Sequence, residues 1–264
     1  MENMLSIRVD SVNDDISLIQ RKNGLTFGTD ALLLASYINA GFDCALELGA
    51  GTGIISLLLL KRGKAERITA LEVQEDFAKI TQENARCNAL SDRLEVIFTD
   101  LREYNAQKKY SLVFSNPPYM RCDSGKPNEY DEKNIARHEV KGSILDFCKC
   151  AGRSLKHGGA FYAVYRTDRL MDLLSAMREC RIEPKRMTLV LADENAEPSM
   201  VLIEGRCGGS VGLKITPPFI LYRDAEHKIA SEDYNSVLAT GSFPEKFLIK
   251  NKKRKGCTNG AGKK

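Results

Sequence analysis

Short apolar runs alternate with longer amphipathic segments along most of this chain. A short apolar run predicts a buried strand, whereas apolar residues that recur every three or four positions predict a helix. Because strands that alternate with helices form parallel sheets with right-handed crossovers, we expect an α/β fold. The pattern places strands at 44–48, 67–72, 94–99, 110–115, 160–165, 187–191 and 200–205, helices at 54–62, 75–89, 143–155 and 168–180, and a glycine turn at 158–159.

The first 40 residues follow a different pattern. Alternating apolar residues at 6–10 and 16–20 predict a short strand or hairpin, and a helix is expected from Ala31 to about residue 38. Asp30 could cap this helix, with Thr29 as the competing cap. Alternatively, Phe27 to Asp30, which include Gly28 and Thr29, form a lid over a ligand that lies beside the next glycine turn. The chain is therefore divided into an N-terminal appendage (1–40), a main domain (41–249) and a C-terminal tail (250–264).

A glycine turn joins the first strand of the main domain to its first helix. Gly49, Gly51 and Gly53 permit a tight turn and let a ligand approach the backbone, and the following helix offers unpaired N–H groups. The next two strands end at Glu72 and Asp100, whose carboxylates can accept hydrogen bonds from ribose hydroxyls and from the amine of an adenine ring. A nicotinamide-dependent dehydrogenase also uses such a turn, but its fingerprint requires a third glycine where this chain has isoleucine.

Asn116-Pro117-Pro118-Tyr119 directly follows the strand predicted at 110–115. Two consecutive prolines remove two backbone donors and hold the preceding asparagine extended. The asparagine amide and a proline carbonyl can then accept hydrogen bonds from a planar amino group, while the tyrosine ring stacks on its face. A proline-rich turn is the simpler alternative. The spacing of the glycine turn, the two acids and this tetrapeptide resembles class I methyltransferases that use S-adenosylmethionine to modify exocyclic or amide nitrogens.

Two basic segments are candidates for contacts with a polyanion. In the charged stretch 120–142, Arg137 is a candidate phosphate contact, and His138 is either a general base, a phosphate contact or a surface ion-pair partner. Residues 250–264 carry seven Lys or Arg and no acid, so residues 1–249 sum to 32 − 35 = −3. This tail is either a tether for nucleic-acid phosphates through Lys252, Lys253, Arg254 and Lys255 or a solvated terminus.

Composition excludes several other classes. The chain has no apolar run long enough to span a bilayer and begins with no signal peptide. Its eight cysteines are scattered and form no C-x-x-C pair, which favours small buried side chains in a reducing compartment over disulfides or a metal site. We therefore expect a cytoplasmic protein with no metal and no membrane association, and the oligomeric state is left open.

Four segments together are similar to the bacterial tRNA1(Val) adenine-37 N6-methyltransferase family. They are 27–35 (FGTDALLLA), 46–53 (LELGAGTG), 115–119 (SNPPY) and 136–139 (ARHE), and the similarity extends over roughly residues 5–248. The resemblance implies a Rossmann-like fold with a mostly parallel seven-stranded sheet, S-adenosylmethionine as methyl donor, and N6-methylation of the adenine beside the anticodon of a valine tRNA. It further implies that the tetrapeptide is catalytic and that the cofactor is held by Gly28, Thr29, Asp30, Glu47, Gly49, Ala50, Gly51, Gly53, Glu72, Val73, Asp100, Leu101 and Asn116.

Three alternatives use similar residues. Protein-glutamine methyltransferases that act on release factors share the tetrapeptide, but they usually carry an N-terminal helical domain, for which some 40 residues leave little room. DNA adenine methyltransferases also share it and usually add a target-recognition region. A non-catalytic RNA-binding protein with the same fold would not need the glycines, both acids and the tetrapeptide intact.

Overall fold

The computed structural model describes residues 7–13, 15–22, 28–118 and 142–249. The helices in these ranges are α1 (Thr29–Tyr37), α2 (Ile54–Lys61), α3 (Glu75–Cys87), α4 (Ile144–Ser154), α5 (Leu170–Glu179) and α6 (Glu232–Thr240). The strands are β1 (Ile7–Asn13), β2 (Ile16–Arg21), β3 (Phe42–Leu48), β4 (Ala65–Glu72), β5 (Leu94–Phe98), β6 (Tyr110–Ser115), β7 (Leu155–Arg166), β8 (Ile182–Leu191), β9 (Met200–Cys207), β10 (Lys214–Ile215) and β11 (Phe219–Ile220).

The main sheet has the strand order β10-β8-β9-β7-β6-β3-β4-β5, and β11 also pairs with β8. The strands from β3 to β7 are parallel to their neighbours among them, whereas β9 is antiparallel to both β7 and β8. The expected α/β fold with a mostly parallel seven-stranded sheet is confirmed in β3 to β9. Two further strands of two residues each extend its edge on either side of Pro217 and Pro218, which cannot donate to a continuous ladder.

The chain changes direction across the sheet at β3. From β3 it proceeds to β4 and β5 on one side, and β6 then pairs with the opposite side of β3. The carboxyl ends of β3 and β6 therefore lie side by side at a topological switch point, where ligands bind in open α/β sheets. Helix α2, which is apolar on all sides, lies in the main core, with Leu57, Leu58 and Leu59 fully buried.

Two buried basic side chains, Lys64 and Arg186, hold the carboxyl end of α1, although burial lowers the pKa of Lys64 to about 7. Lys64 Nζ donates to the carbonyl oxygens of Ala35, Ser36 and Ile38 at 2.9, 2.9 and 2.6 Å. Arg186, which is 0% exposed, donates to the Tyr37 carbonyl at 2.9 Å and lies 3.0 Å from Glu204 Oε2. Positive charge at this end of a helix offsets the partial negative charge of its unpaired carbonyls. Helix α1 is thereby fixed against the sheet, and with it the position of the residues at its amino end.

The amino-terminal hairpin is present and docks on α3. Strands β1 and β2 are antiparallel, which confirms the expected strand pair. Asn84 accepts from Ile19 N at 2.7 Å and donates to Ile19 O at 3.1 Å. Asn88 accepts from Ser17 N at 3.1 Å and donates to Ser17 O at 2.7 Å. Two asparagines four positions apart on a helix thus pair with the backbone of alternate strand residues. The geometry fits because four helical residues rise by roughly 6 Å and two strand residues by roughly 6.6 Å.

Two local expectations are wrong. Gly28 is the N-cap of α1 and no side chain caps the helix, so neither Thr29 nor Asp30 does so; the Asp30 carboxylate instead accepts from Ala31 N at 2.8 Å. The turn at 158–159 is absorbed into β7, whose register against β6 shifts there while Gly158 takes a φ of +75°.

Among the helices of the described ranges, none has the combined length and apolarity needed to cross a lipid bilayer.

Candidate active site

The glycine turn lies between β3 and α2, at the carboxyl edge of the sheet. Gly49, Gly51 and Gly53 adopt φ values of +73°, +58° and +78°, a left-handed conformation that favours glycine. A Cβ atom at Gly53 would lie 2.6 Å from Thr81 Cγ2, and one at Gly49 would lie 3.4 Å from the Phe147 ring. A Cβ at Gly51 would meet no heavy atom of the described residues within 4 Å. The turn is therefore packed at its two ends and open at Gly51, where a ligand can approach the backbone.

Helix α3 supports this turn from below. Thr81 Oγ1 donates to Gly51 O at 2.8 Å, and Asn84 Nδ2 donates to Thr52 O at 2.9 Å. Both side chains are fully buried. Sequence reasoning did not identify either residue, although polar residues on the buried face of an amphipathic helix are a signal, since buried polar groups need a partner.

Glu72 lies next to the turn, at the carboxyl end of β4. It is only 4% exposed, and its Oε2 accepts from Gly51 N at 2.8 Å while Oε1 accepts from Gln74 N at 2.9 Å. Oε1 also accepts from Gln74 Nε2 at 3.4 Å. Oε2 has room for a second hydrogen bond, so these contacts orient the group and still permit a hydroxyl donor. Val73, partly buried, follows immediately.

Asp100 follows β5 and forms an ion pair with Arg102. Arg102 Nε donates to both carboxylate oxygens at 3.0 and 2.9 Å, and these hydrogen bonds lower the pKa of Asp100. Leu101 is buried in a hydrophobic cluster separate from the one that contains α2. Arg153 donates to the carbonyl oxygens of Leu101 and Tyr104. The expected contact of Asp100 with an adenine amine stays a prediction, since in the structure this carboxylate already accepts from Arg102.

Glu47 lies within β3, beneath the glycine turn. Its carboxyl group is 1% exposed and accepts a hydrogen bond from Ser56 Oγ of α2. Burial, with a smaller contribution from the nearby Glu72 carboxylate, raises the pKa of Glu47 to about 8. Ala50 is buried in the hydrophobic cluster that contains α2.

Among the described residues, no group of three or more histidine, cysteine, aspartate or glutamate side chains could hold a metal ion.

Asn116 begins the tetrapeptide and lies beside the glycine turn. Leu48 pairs with Ser115 in the parallel ladder, and Ser115 Oγ donates to Leu48 O at 2.7 Å. The next residues, Gly49 and Asn116, therefore leave neighbouring strands at the same level. Asn116 Nδ2 donates to Asp30 Oδ2 at 2.9 Å.

Of the other expected site residues, some lie within the described ranges and some lie outside them. Pro117 is buried and Pro118 is partly buried. Gly28 is exposed at the start of α1, and the Thr29 side chain is hydrogen-bonded to Tyr234. Tyr119, Arg137, His138, Lys252, Lys253, Arg254 and Lys255 lie outside the described residues.

The candidate residues follow the strand order along one edge of the sheet. Asp100 follows β5, Glu72 is the last residue of β4, the glycine turn follows β3 and Asn116 follows β6, and these strands are consecutive neighbours. An acceptor for an amine, an acceptor for hydroxyls and a backbone turn in this order fit the adenine, the ribose and the amino-acid part of S-adenosylmethionine. The space at Gly51 and the two backbone-oriented oxygens of Glu72 fit the same molecule.

Comparisons with known proteins agree with this arrangement. The family model of the methyltransferase small domain matches residues 22–180, which include every element of the site described above. A tRNA1(Val) (adenine(37)-N6)-methyltransferase of Phocaeicola vulgatus is 30% identical over 180 residues, 67% of this chain and 74% of that protein. The protein of the same name from Bacteroides thetaiotaomicron is 29% identical over 69% of this chain and 77% of its own length. These names are those of the family that the motifs resemble, so the resemblance is confirmed.

A solved structure shows the same fold. The crystal structure described as a predicted O-methyltransferase from Agrobacterium tumefaciens superposes with a TM-score of 0.66 at 20% identity, covering 82% of this chain and 98% of that one. Sequence family and fold thus agree with each other. The chain belongs to the methyltransferase small domain family, and it is a class I methyltransferase whose cofactor is S-adenosylmethionine.

Proposed function

We propose that this enzyme methylates N6 of an adenine in tRNA, at position 37 of a valine tRNA. The observation that carries the proposal is the position of Asn116, which follows β6 at the level where the glycine turn follows β3. An amide held beside the cofactor turn suits a planar nitrogen as methyl acceptor. The names of the curated relatives support adenine N6 as that nitrogen and tRNA as its carrier. Such an enzyme would act in the cytoplasm.

The chemical problem is the low nucleophilicity of the exocyclic amine, because its lone pair is delocalised into the ring. We assign the two N–H bonds of this amine to the Asn116 Oδ1 atom and the Pro117 carbonyl oxygen. Accepting both would favour the pyramidal nitrogen and direct its lone pair along the edge of the sheet toward the glycine turn. Alignment of this kind can lower a barrier by several kcal/mol, within the roughly 7–11 kcal/mol available from proximity.

When bound, S-adenosylmethionine supplies an electrophilic methyl group on a positively charged sulfur. The methyl group would pass to the nitrogen, the sulfur would keep the electron pair of the broken carbon–sulfur bond and become neutral, and the nitrogen would release one proton to solvent. Residues of this chain hold the reactants: the glycine turn and Glu72 for the cofactor, and Asn116 and Pro117 for the amine. No covalent bond to the protein is required.

Contacts with the rest of the tRNA are assigned from the sequence. An adenine that starts stacked must swing out, and Tyr119 would then hold its face. Arg137 and His138 are assigned to contacts with the RNA, Arg137 to a phosphate, and the basic tail from Lys252 to Lys255 to sequence-independent attraction of the RNA.

The test is methyl transfer from labelled S-adenosylmethionine to unmodified bulk tRNA, bulk protein and duplex DNA in parallel, followed by nucleoside analysis. We expect N6-methyladenosine in the tRNA lane. An unmodified valine tRNA transcript should be methylated, and the same transcript with another base in place of adenine 37 should not. The Asn116→Ala variant serves as the control enzyme that should transfer almost no methyl group. Label in the protein lane alone would replace the proposal with glutamine methylation, and label in DNA alone would replace it with DNA adenine methylation.

A further inference from the structure

The Asn116 side chain is held by a residue distant in sequence. Its Nδ2 atom donates to Asp30 Oδ2 at 2.9 Å, across 86 positions of the chain. The other carboxylate oxygen, Asp30 Oδ1, accepts from Ala31 N at 2.8 Å. Because both oxygens are hydrogen-bonded in fixed directions, the carboxylate cannot rotate without losing one of these bonds.

Gly28 provides the space that this arrangement needs. A Cβ atom at Gly28 would lie 2.5 Å from Asp30 Oδ1 and 3.4 Å from its Cγ. The backbone of Gly28 has a φ of −96° and a ψ of 173°, which any residue can adopt. Glycine is therefore not needed here for its backbone freedom. It is needed because a side chain would displace the Asp30 carboxylate.

We infer that Asp30 is a positioning residue that fixes the orientation of the Asn116 amide. A carboxylate offers only acceptors, so it selects the amide orientation in which Nδ2 faces Asp30 and Oδ1 lies on the opposite side. The inference rests on the proposed function, in which Oδ1 accepts from the amine to be methylated. In the flipped orientation Nδ2 would face that amine, and two donors would oppose each other.

The same hydrogen bond also strengthens the acceptor. A negative charge on the Nδ2 side polarises the amide and increases the electron density on Oδ1, as in other chains of hydrogen bonds. Asp30 lies in the first turn of α1, whose carboxyl end is held by Lys64 and Arg186. The position of the carboxylate is thus set by the main fold. This role differs from the direct cofactor contact that the sequence suggested for Asp30.

The kinetic test compares Asp30→Asn, Gly28→Ala and the control Asp76→Asn, which changes an acidic residue in the first turn of α3. An asparagine at position 30 can present either a donor or an acceptor, so it no longer selects one orientation of Asn116. We expect kcat for tRNA methylation to fall about tenfold in the first two variants, while KM for tRNA and Kd for S-adenosylmethionine change by less than about twofold. The control should retain wild-type kcat. Unchanged kcat in Asp30→Asn, or a loss expressed in cofactor Kd, would overturn the inference.

A double-variant cycle separates action through Asn116 from independent action. If Asp30 acts by orienting Asn116, Asp30→Asn should lower the residual kcat of Asn116→Ala by less than about twofold. An additive loss of about tenfold in that background would contradict the inference. Normal kcat in a refolded, fully stable Gly28→Ala protein would also contradict it.

An independent readout is the side-chain amide signal of Asn116 in the NMR spectrum of the nitrogen-labelled protein, assigned by its absence in Asn116→Ala. We expect slow hydrogen exchange of one amide proton in the wild type and fast exchange in Asp30→Asn and Gly28→Ala. Equal exchange in all three would overturn the orienting role. If the wild type methylates no tRNA, the proposed function fails, while this measurement still decides whether Asp30 fixes the amide.

Discussion

The backbone N–H of Gly51 donates to Glu72 Oε2 at 2.8 Å. This contact joins the middle of the glycine turn on β3 to the carboxylate at the end of β4. Both groups were assigned to the cofactor from the sequence, and the hydrogen bond places them within one rigid unit. Because Gly51 also faces open space, it is the position of the turn at which a side chain would interfere with a ligand without a clash in the protein.

Gly51→Ala should weaken cofactor binding. Gly63 offers a matched control, since its φ of +62° is close to the +58° of Gly51 and a Cβ there also meets nothing within 4 Å. Alanine in this conformation costs each variant about 1–2 kcal/mol of stability. Only Gly51→Ala should raise the Kd for S-adenosylhomocysteine, by about tenfold or more, as measured by calorimetry. Equal Kd values in the two variants would show that the cofactor does not approach Gly51.

Asn116→Ala should abolish most of the turnover and leave cofactor binding intact. The variant loses an acceptor that acts only on the reacting amine, and loss of a comparable hydrogen bond elsewhere costs about 10²–10³ in kcat. Asn105→Ala, which alters an exposed asparagine before β6, is the control and should behave as wild type. Single-turnover rates and cofactor Kd are to be measured on all three proteins. Wild-type kcat in Asn116→Ala would disprove the proposed chemistry.

Asn84 and Asn88 should differ in their effect on the cofactor. Each holds the backbone of β2, but only Asn84 also donates to the glycine turn, at Thr52 O. Substitution of either by alanine removes two hydrogen bonds to the β2 backbone and should lower the free energy of unfolding by about 2–3 kcal/mol in denaturant titrations, with the larger loss for Asn84, whose bonds to Ile19 are buried. Only Asn84→Ala should weaken cofactor binding in addition. A similar loss of affinity in Asn88→Ala would mean that the hairpin as a whole, rather than Asn84, supports the turn.

Glu47 should make stability depend on pH. Its folded pKa is raised from 4.5 to about 8 by burial, so between these values the native state holds a proton that the unfolded state has lost. The free energy of unfolding should therefore decrease as pH rises through this window, by at most about 1.4 kcal/mol per pH unit. Glu47→Gln cannot ionise and should lack this part of the slope. Denaturant titrations at several pH values from about 5 to 7 test the difference. Identical slopes in the two proteins would show that Glu47 ionises normally in the folded state.

Removal of residues 250–264 tests the basic tail. Seven cationic side chains are lost, so tRNA affinity should decrease and the dependence of log Kd on log salt should become less steep. A second variant keeps the full chain length and replaces Lys252, Lys253, Arg254 and Lys255 by glutamine. An unchanged salt slope in both variants would assign the tail no part in RNA binding.

Much of the sheet was predictable from local pattern. The strand predicted at 110–115 coincides with β6, and the helix predicted at 75–89 contains α3. These elements have continuous apolar runs or a clear helical period, so local sequence decides them. The predicted helix cap at Asp30 is wrong for a reason outside the local sequence, because the Asp30 carboxylate is engaged by Asn116, a partner 86 residues away. Likewise, a turn at Gly158 is a sound local expectation that the register of β7 against β6 overrides.

Local sequence is sufficient to predict the strands from β3 to β9 and the helices between them, the glycine turn, and the chemical types of Glu72, Asp100 and Asn116, because glycine spacing and strand ends are local properties of the chain. It did not predict β10, β11 or α6. Which side chains orient those groups follows from contacts between distant parts of the chain. Thr81 and Asn84 hold the turn, and Asp30 engages Asn116. The physical reason is that a hydrogen bond depends on distances of about 3 Å between atoms, and such distances between remote residues exist only once the sheet has brought them together.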